Sequence, residues 1–534
     1  MYIQRIHRKD KGKVYTSTIL AHSYRENGKQ KRKTIANLTG VPPDLIEILE
    51  AAIKGKQITS LSDFEQAQGK SCGALLMLMS IAQEIGLDKA LGKSNDAKLA
   101  MLQIMARIID QGSRLSICDW AKHQAIEQVL GIEEFTHHHL YENLDWINAH
   151  QEKIENYLFH HKNKTTTITS IYLYDVTSSY LEGNNNELAQ YGYNRDKKKG
   201  KKQLVIGLLC DKEGDPVSVE VFEGNTGDTK TFVNQLQKLK NRFGLLNVIT
   251  VGDKGMIKQT QIEDINDLNY FYITTITRAQ IQTLINKNIL QLSLFEDEIM
   301  EVEHIEEEKT IRYIMRRNPV RSAEIKASRA SKIEVITKKI KQKNEYIDTH
   351  TKASASVALV QIKKAIDKLK LSAFVVCTLA NKKIKLSLNN TSIEEAEKLD
   401  GCYVVKSNVE KQEATAKEIH DRYKDLAKVE FAFRTIKTTL LEIRPLFLRK
   451  ENRTRAHVLV CMLAYKIVWK LTQKLNDKVN YTTEHIIQCM DKIQYTQYTH
   501  KNVTINKLPT IFLEDQQNII PRSSSSTPRL RSAG

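Results

Sequence analysis

The sequence predicts an α/β protein built on a mixed β-sheet flanked by helices, with a basic β module and a helical domain ahead of it. Three features carry this prediction. Residues 169–276 hold strand-like segments rich in Ile, Val and Tyr, separated by Gly, Asp and Asn turns. Residues 73–160 show the helical spacing of apolar side chains. A second helical stretch, 415–475, follows a long and less regular interval.

Residues 1–70 open with apolar and polar side chains in alternation, then run through a basic stretch from Tyr24 to Lys33. Asn27-Gly28 between two β-like segments reads as a hairpin turn, and Pro43–Lys54 as a helix closing a small basic module. Residues 71–165 read as a helical domain. In it Ser94-Asn95-Asp96 offers N-cap oxygens to the run Leu99, Leu102, Ile104, Met105, Ile108 and Ile109, with Gly112 as a stop.

Residues 166–276 read as the first part of the sheet. Ser170–Val176 is a short apolar strand with Asp175 at its end. Gln203–Cys210 and Pro216–Phe222 are joined by the hairpin connection Asp211-Lys212-Glu213-Gly214-Asp215. Thr229–Phe243 has helical spacing, Val248–Val251 is a buried strand running into Gly252-Asp253, and Tyr270–Thr275 is another strand. Three strands, a helix and a further strand match the first part of an RNase H-like mixed sheet.

Residues 277–415 read as an inserted, β-containing domain that interrupts this sheet. An acidic patch, Glu296–Glu308, precedes a basic helical stretch from Arg316 to Lys343. Short strands follow at Phe374–Leu379, Lys383–Leu388 and Cys402–Lys406. Residues 416–480 return to helix. Residues 481–534 form a C-terminal segment whose low-complexity tail, from Arg522 onward, is expected to be disordered.

The net charge of +18 and pI near 9.3 favour a polyanionic partner, because lysine and arginine release counterions condensed on phosphates. An apolar fraction of 41% with 27% charged residues is that of a globular chain and excludes general disorder. Seven cysteines without a CxxC pair argue against a disulfide framework or a structural zinc site and favour a reducing, cytoplasmic setting. Met1–Lys13 is basic but lacks the apolar stretch of a signal peptide. The longest apolar run, Ala456–Trp469, is too short to cross a bilayer, so no membrane partner is expected.

Asp175 and Asp253 both follow apolar strand residues, where a carboxylate is costly unless it meets water, a partner or a cation. A turn-capping aspartate is the plain alternative at either position. Together, two such carboxylates in one sheet can converge on hard cations, which prefer oxygen ligands, and phosphodiester chemistry often uses two ions. Glu430 is the candidate for a third acid. Tyr423, Glu430, Arg434 and Lys437 recur at helical spacing and are expected on one helix face, an arrangement suited to metal plus DNA phosphate. An ordinary solvated face with ion pairs is the alternative there.

These residues sit within a longer series of motifs. Tyr191-Gly192-Tyr193-Asn194-Arg195-Asp196, Gln203–Leu209, Asp211, Gly214 and Pro216 come first. Gly224-Asn225-Thr226-Gly227-Asp228 with Thr231-Phe232, Asp253-Lys254-Gly255, Asp400-Gly401-Cys402-Tyr403 and Arg444-Pro445 follow in order. The series resembles the DDE transposases of the insertion-sequence-four superfamily, in the branch with a long insertion before the glutamate. The family's Tyr-x2-Arg-x3-Glu-x6-Lys signature falls on Tyr423, Leu426, Glu430 and Lys437. Leu426 departs from its arginine. Lys254 stands where the family has arginine, keeping the charge but losing bidentate geometry.

The resemblance implies metal-dependent hydrolysis at the ends of a mobile element, then attack of the freed 3′-OH on target DNA. It implies Asp175, Asp253 and Glu430 as catalytic residues holding Mg²⁺ or Mn²⁺, two ions in all. Tyr423, Arg434, Lys437, Lys254, Lys198, Lys201 and Arg444 become the DNA-contacting candidates. The partners implied are double-stranded DNA (terminal repeats and target) and a second copy of the chain in a DNA-bound synaptic homodimer. The helical domain would bind the DNA ends, and the location would be the bacterial cytoplasm, at the nucleoid. A catalytically inactive DNA-binding repressor, or an RNase H-like nuclease without strand transfer, are the competing readings. His137-His138-His139 reads as a helix segment rather than a metal site, since adjacent helical side chains diverge. The helices at 97–130 read as core rather than as a helix-turn-helix.

Overall fold

The computed structural model describes residues 1–10, 13–56, 65–163, 170–183, 185–193, 195, 198, 200–296, 298–306, 309–350, 352–437, 441, 443, 446–475, 481–500, 503–509 and 516. In chain order the first elements are β1 (Tyr2–Asp10), β2 (Lys13–Glu26), β3 (Lys29–Asn37), α1 (Pro43–Ile53) and β4 (Glu65–Ser71). Six helices follow: α2 (Gly73–Glu84), α3 (Leu87–Leu91), α4 (Asn95–Ile109), α5 (Arg114–Ala121), α6 (Ile126–Leu130) and α7 (His137–Lys162). Then come β5 (Ser170–Tyr180), β6 (Gln203–Asp211), β7 (Pro216–Glu223), α8 (Asp228–Asn241), β8 (Val248–Val251), α9 (Gln259–Asp267), β9 (Phe271–Thr275) and α10 (Arg278–Asn286). The next stretch holds β10 (Met300–Glu306), β11 (Lys309–Arg317), α11 (Pro319–Thr349), α12 (Ala355–Lys368), β12 (Val375–Ala380), β13 (Lys383–Leu388), α13 (Asn390–Lys398) and β14 (Cys402–Ser407). The chain closes with α14 (Ala416–Lys424), α15 (Leu426–Lys437), α16 (Glu451–Leu475), α17 (Thr483–Asp491), β15 (Gln494–His500) and β16 (Val503–Lys507).

The described residues of 1–70 and 494–511 form one compact unit, and those of 71–493 and 512–527 form another. In the smaller unit β1, β2 and β3 make an antiparallel meander. Its second turn is Asn27-Gly28, both with positive φ (48° and 76°), which matches the right-handed twist of the flanking strands. A second sheet there runs in the order β16-β15-β4.

The larger unit is mixed α/β, built on an eight-stranded mixed sheet in the order β10-β11-β14-β9-β8-β5-β6-β7. Strands β5, β6 and β7 are successive antiparallel neighbours, while β8 and then β9 lie parallel to β5. Strand β5 therefore sits at the centre. Its cross-strand partners, such as Ile206 and Leu208, are buried, as is all of β8. The helices α4, α7 and α16 pack on one another, and α16 also packs on β7. Ser94 caps α4 by accepting from the Ala97 N–H at 3.2 Å, and α4 is buried on nearly every side. It is a core helix, as its unbroken apolar run predicts. Among the described residues no helix is long and apolar enough to cross a membrane.

Four local readings of the sequence change. Strand β5 continues through Thr177-Ser178-Ser179-Tyr180, so Asp175 lies in its middle, opposite Leu208, and not at its end. Arg316 and Arg317 belong to β11 rather than to the basic helix. That helix starts only at Pro319, because a residue before proline is disfavoured in α conformation; Asn318 instead caps it, accepting from the Arg321 N–H at 3.0 Å. Strands β10, β11 and β14, from the segment read as an insertion, extend the main sheet. A separate apolar cluster in that segment is formed by α11, α12, β12 and β13, around Ile336, Ile340, Ile362, Ile366 and Val375. Finally, the helix expected to carry both Tyr423 and Glu430 is interrupted at Asp425, which divides α14 from α15. The low-complexity tail from Arg522 lies outside the described residues.

Candidate active site

Asp175 is held on the central strand, half-buried, with its Oδ1 accepting from the Val176 N–H at 2.8 Å. Asp253 lies two residues beyond β8, the parallel neighbour of β5. Its Oδ1 accepts from the N–H groups of Gly255 (2.8 Å) and Met256 (3.0 Å), which fixes the carboxylate in a turn. Glu430 is exposed on α15, and α15 packs against β5 and β6.

The β6–β7 hairpin helps to set that helix. Gly214 adopts φ +86°, and a Cβ built there would stand 2.9 Å from the Cβ of Lys428. The Lys428 ammonium in turn donates to the Lys212 carbonyl at 2.7 Å. Glycine at this turn therefore lets α15 approach closely.

Asp253 and Glu430 both act on Asp175. Burial pushes the Asp175 carboxyl up to about 7, and the charges of Asp253 and Glu430 push in the same direction, against the Val176 hydrogen bond and Arg195. Tyr423 reports the same field. Burial raises its phenol, its hydrogen bond with Thr275 Oγ1 (3.0 Å) opposes the rise, and Asp253, Glu430 and Asp175 all add to it. Among the described residues no Lys or Arg forms an ion pair with Asp175, Asp253 or Glu430. Three carboxylates in one field, with only the Arg195 charge named as opposing it at Asp175, fit a hard divalent cation. They share a field without being closed into a cage: among the described residues no three His, Cys, Asp or Glu side chains stand in a metal-holding group.

The other predicted residues are placed as follows. Arg434 and Lys437 lie four and seven residues beyond Glu430 on α15, while Tyr423 stands on α14 across the break. Lys254 is exposed beside Asp253 and lines a cavity with Lys258, Tyr313 and Lys406. Lys198 lies 5.7 Å from the ring centre of Tyr180, and Lys201 pairs with Glu182 at 3.0 Å, both near the far end of β5. Arg444 lies outside the described residues. His139 closes the N-terminus of α7 in a capping box with Thr136, and no metal group forms around it among the described residues.

Two residues carry more than their sequence reading suggested. Arg195 pairs with Asp228 at 2.5 Å, and its charge reaches Asp175. A Cβ on Gly255 would lie 3.1 Å from Asp253 Oδ1 and 3.7 Å from Asp228 Oδ2, so Asp228 borders the acids too. The motifs around both residues were visible in the sequence; nothing in their spacing indicated that they meet.

A central strand with a mid-strand acid, a second acid after the parallel neighbour and a third on a packed helix define the class of site. Residues 166–467 match the family model for the transposase DDE domain, and residues 3–63 match that for the N-terminal domain of IS1634 family transposases. The chain belongs to the DDE-domain transposase family, as a bacterial insertion-sequence DNA transposase. No curated protein matches it. Among solved structures it is similar to a piggyBac transposase synaptic complex with hairpin DNA, at 9% identity and a TM-score of 0.37, covering 78% of this chain and 76% of that one. It is also similar to a Mos1 transposase paired-end complex with the left transposon end, at 14% identity and a TM-score of 0.15, covering 34% and 58%.

Proposed function

We propose that Asp175, Asp253 and Glu430 are the catalytic acids of this transposase and the ligands for its divalent metal, as two Mg²⁺ or Mn²⁺ ions. The observation that carries this reading is the shared field in which Asp253 and Glu430 raise the Asp175 carboxyl and all three raise the Tyr423 phenol. Bound there, divalent cations would supply an activated water and neutralise charge on the leaving oxygen. The order β7-β6-β5-β8-β9 supports an RNase H-like core, to whose edge the segment 277–415, read as an insertion, adds β10, β11 and β14; on this reading 71–165 is the DNA-end-binding region. Within that core Asp175 on β5 and Asp253 after the neighbouring β8 would each supply oxygen donors, and Glu430 would add a third from α15. The Tyr423 hydroxyl, fixed by Thr275, and the Lys437 ammonium hold a phosphate of the cleaved end. Lys254, Arg434, Lys198, Lys201 and Arg444 follow the backbone on either side.

On this reading the protein binds the terminal repeats as a synaptic homodimer at the nucleoid, cuts the ends and joins the 3′-OH to target DNA. The test uses purified protein, Mg²⁺ or Mn²⁺ and duplexes of the inverted repeats bracketing the reading frame. Wild type should cut them and join them to a supercoiled target. Asp175→Asn, Asp253→Asn and Glu430→Gln should each bind the ends yet leave them uncut. Cutting by any of the three variants would remove that residue from the site.

A further inference from the structure

Helix α14 is a piece of nine residues, divided at Asp425 from the helix that carries Glu430, yet it holds Tyr423. The course of α15 alone therefore does not set where Tyr423 stands. The register of three strands shows what does. Tyr403 of β14 lies opposite Arg316 of β11, and Val405, two residues on, lies opposite Thr275 of β9. Side chains alternate between the faces of a sheet, so Arg316, Tyr403 and Thr275 project from the same one. Helix α14 packs against these strands, and His420 and Tyr423, three positions apart, share its side turned to them. His420 meets Tyr403, and Tyr423 meets Thr275. Two hydroxyl contacts, one turn apart, thus tie α14 to the sheet.

The contact at His420 is a directed chain of hydrogen bonds. The Arg316 guanidinium hydrogen-bonds the Tyr403 hydroxyl, and an arginine only donates. The hydroxyl proton is therefore left for His420 Nε2, which accepts it. The imidazole proton then sits on Nδ1, 3.2 Å from the Asp421 Oδ1 that receives it. The two rings stack, with centres 5.7 Å apart. His420 is only 1% exposed, so its nitrogens depend on these partners rather than on water. Burial holds the imidazole below its ordinary range, helped by the charges of Lys424 and Arg316 and opposed by Asp421. It is thereby kept in the neutral form that the chain requires.

We propose that Tyr403 and His420 are positioning residues for the reaction: their contact fixes α14 on the sheet so that the Tyr423 hydroxyl stands at the phosphate of the cleaved end. The inference rests on the reading of Tyr423 as a phosphate contact, and it adds two residues that themselves touch neither DNA nor metal. A second anchor has a physical reason. The Tyr423 hydroxyl has one proton. When that proton turns to a phosphate oxygen, Thr275 remains a partner only by donating its own, so the bond that holds Tyr423 changes with the substrate. The buried contact at His420, one turn earlier, does not change. A displacement of about 1 Å at a group that positions the reacting centre costs about a hundredfold in rate, so the contact acts on cleavage rather than on end binding.

The test measures single-turnover cleavage and end binding on the terminal-repeat duplexes with Mg²⁺, for full-length wild type, Tyr403→Phe, Tyr423→Phe, their double variant, His420→Gln and His420→Ala. Tyr403→Phe should cut about ten- to a hundredfold more slowly while binding the ends within about threefold of wild type. The double variant should cut at the rate of Tyr423→Phe, within about twofold, because without the Tyr423 hydroxyl the contact has nothing to position. A merely structural role would make the two losses multiply. The side-chain oxygen of glutamine reaches the place of Nε2, so His420→Gln should keep most of the rate that His420→Ala loses. Multiplied losses, wild-type cutting by Tyr403→Phe, or equal loss by the two His420 variants would overturn the proposal. Thermal melting checks that each variant is folded at the assay temperature, and if His420→Ala is not, the Tyr403 and Tyr423 variants decide alone. Wild-type cutting by Tyr423→Phe would instead remove the phosphate role of Tyr423 itself, so the two failures are distinguishable.

Discussion

Asp175 illustrates how a single side chain can be held at a cost. Its carboxyl titrates at about 7 rather than at an ordinary aspartate's 3.8, chiefly through burial and then through Asp253 and Glu430. The folded state therefore holds the proton more tightly than the unfolded one. The stability this gives is complete below about pH 4 and is lost as pH rises through 7. Without divalent metal, Asp175→Asn should melt higher than wild type at pH 8, by up to about 4 kcal/mol, with the gap closing toward pH 4. A variant that melts lower at pH 8 would show that the carboxylate is not confined. For the same reason Mn²⁺ affinity, read by calorimetry, should rise with pH through about 7 as a proton is displaced. Tyr423→Phe removes only the hydroxyl that meets Thr275, at 3.0 Å. It should cost about 1 kcal/mol of stability and slow cleavage more than it weakens end binding.

At the scale of elements, the β6–β7 hairpin and two helices hold the site in place. Lys466 on α16 and Lys162 at the end of α7 both reach Asp215, at 2.6 and 2.9 Å, and Lys162 also pairs with Asp211. Lys466 and Asp215 are buried, so removing one partner strands the other. Lys466→Met should destabilise the protein by about 3–5 kcal/mol in denaturant melts, whereas an exposed pair such as Lys122–Asp119 should contribute under about 1 kcal/mol. Gly214→Ala puts a side chain at φ +86° and 2.9 Å from Lys428 Cβ. It should lower stability by roughly 1–2 kcal/mol and, by displacing α15 with Glu430, reduce cleavage further than that loss explains.

Over the whole molecule the net +18 is unevenly spread. Residues 319–388, which form the separate α11–α12–β12–β13 core, hold 16 Lys and Arg against 5 Asp and Glu, a net +11. Lys332, Lys339 and Lys341 of α11 are exposed there. If this surface meets DNA phosphates, affinity for duplex DNA should fall steeply between about 50 and 200 mM salt. Replacing the three lysines by Gln should then flatten the logarithmic salt slope by up to about three. An unchanged slope would assign the face to solvent. Much of this architecture was legible beforehand. The Asn27-Gly28 turn, the Ser94 cap, the strand at 248–251 and the hairpin at 211–215 were readable because each is written in contiguous residues whose backbone preferences act locally. Asp175 and Asp253 were nominated by carboxylates set among apolar strand residues, where burial needs a reason.

The sequence by itself determined the element types, the charge and the family motifs, since periodicity, turn chemistry and ordered motifs need no knowledge of the fold. Only the tertiary structure decided which strands pair and which charges meet. Strands β10, β11 and β14 join the main sheet because their pairing depends on partners far along the chain. The helix break at Asp425 and the extension of β5 past Asp175 were likewise set by packing that overrides local propensity. The field linking Glu430 to Asp175, 255 positions earlier, and the meeting of Tyr193, Gln203 and Arg195 around one cavity, follow from chain folding alone, because electrostatic and packing energies depend on distance in space.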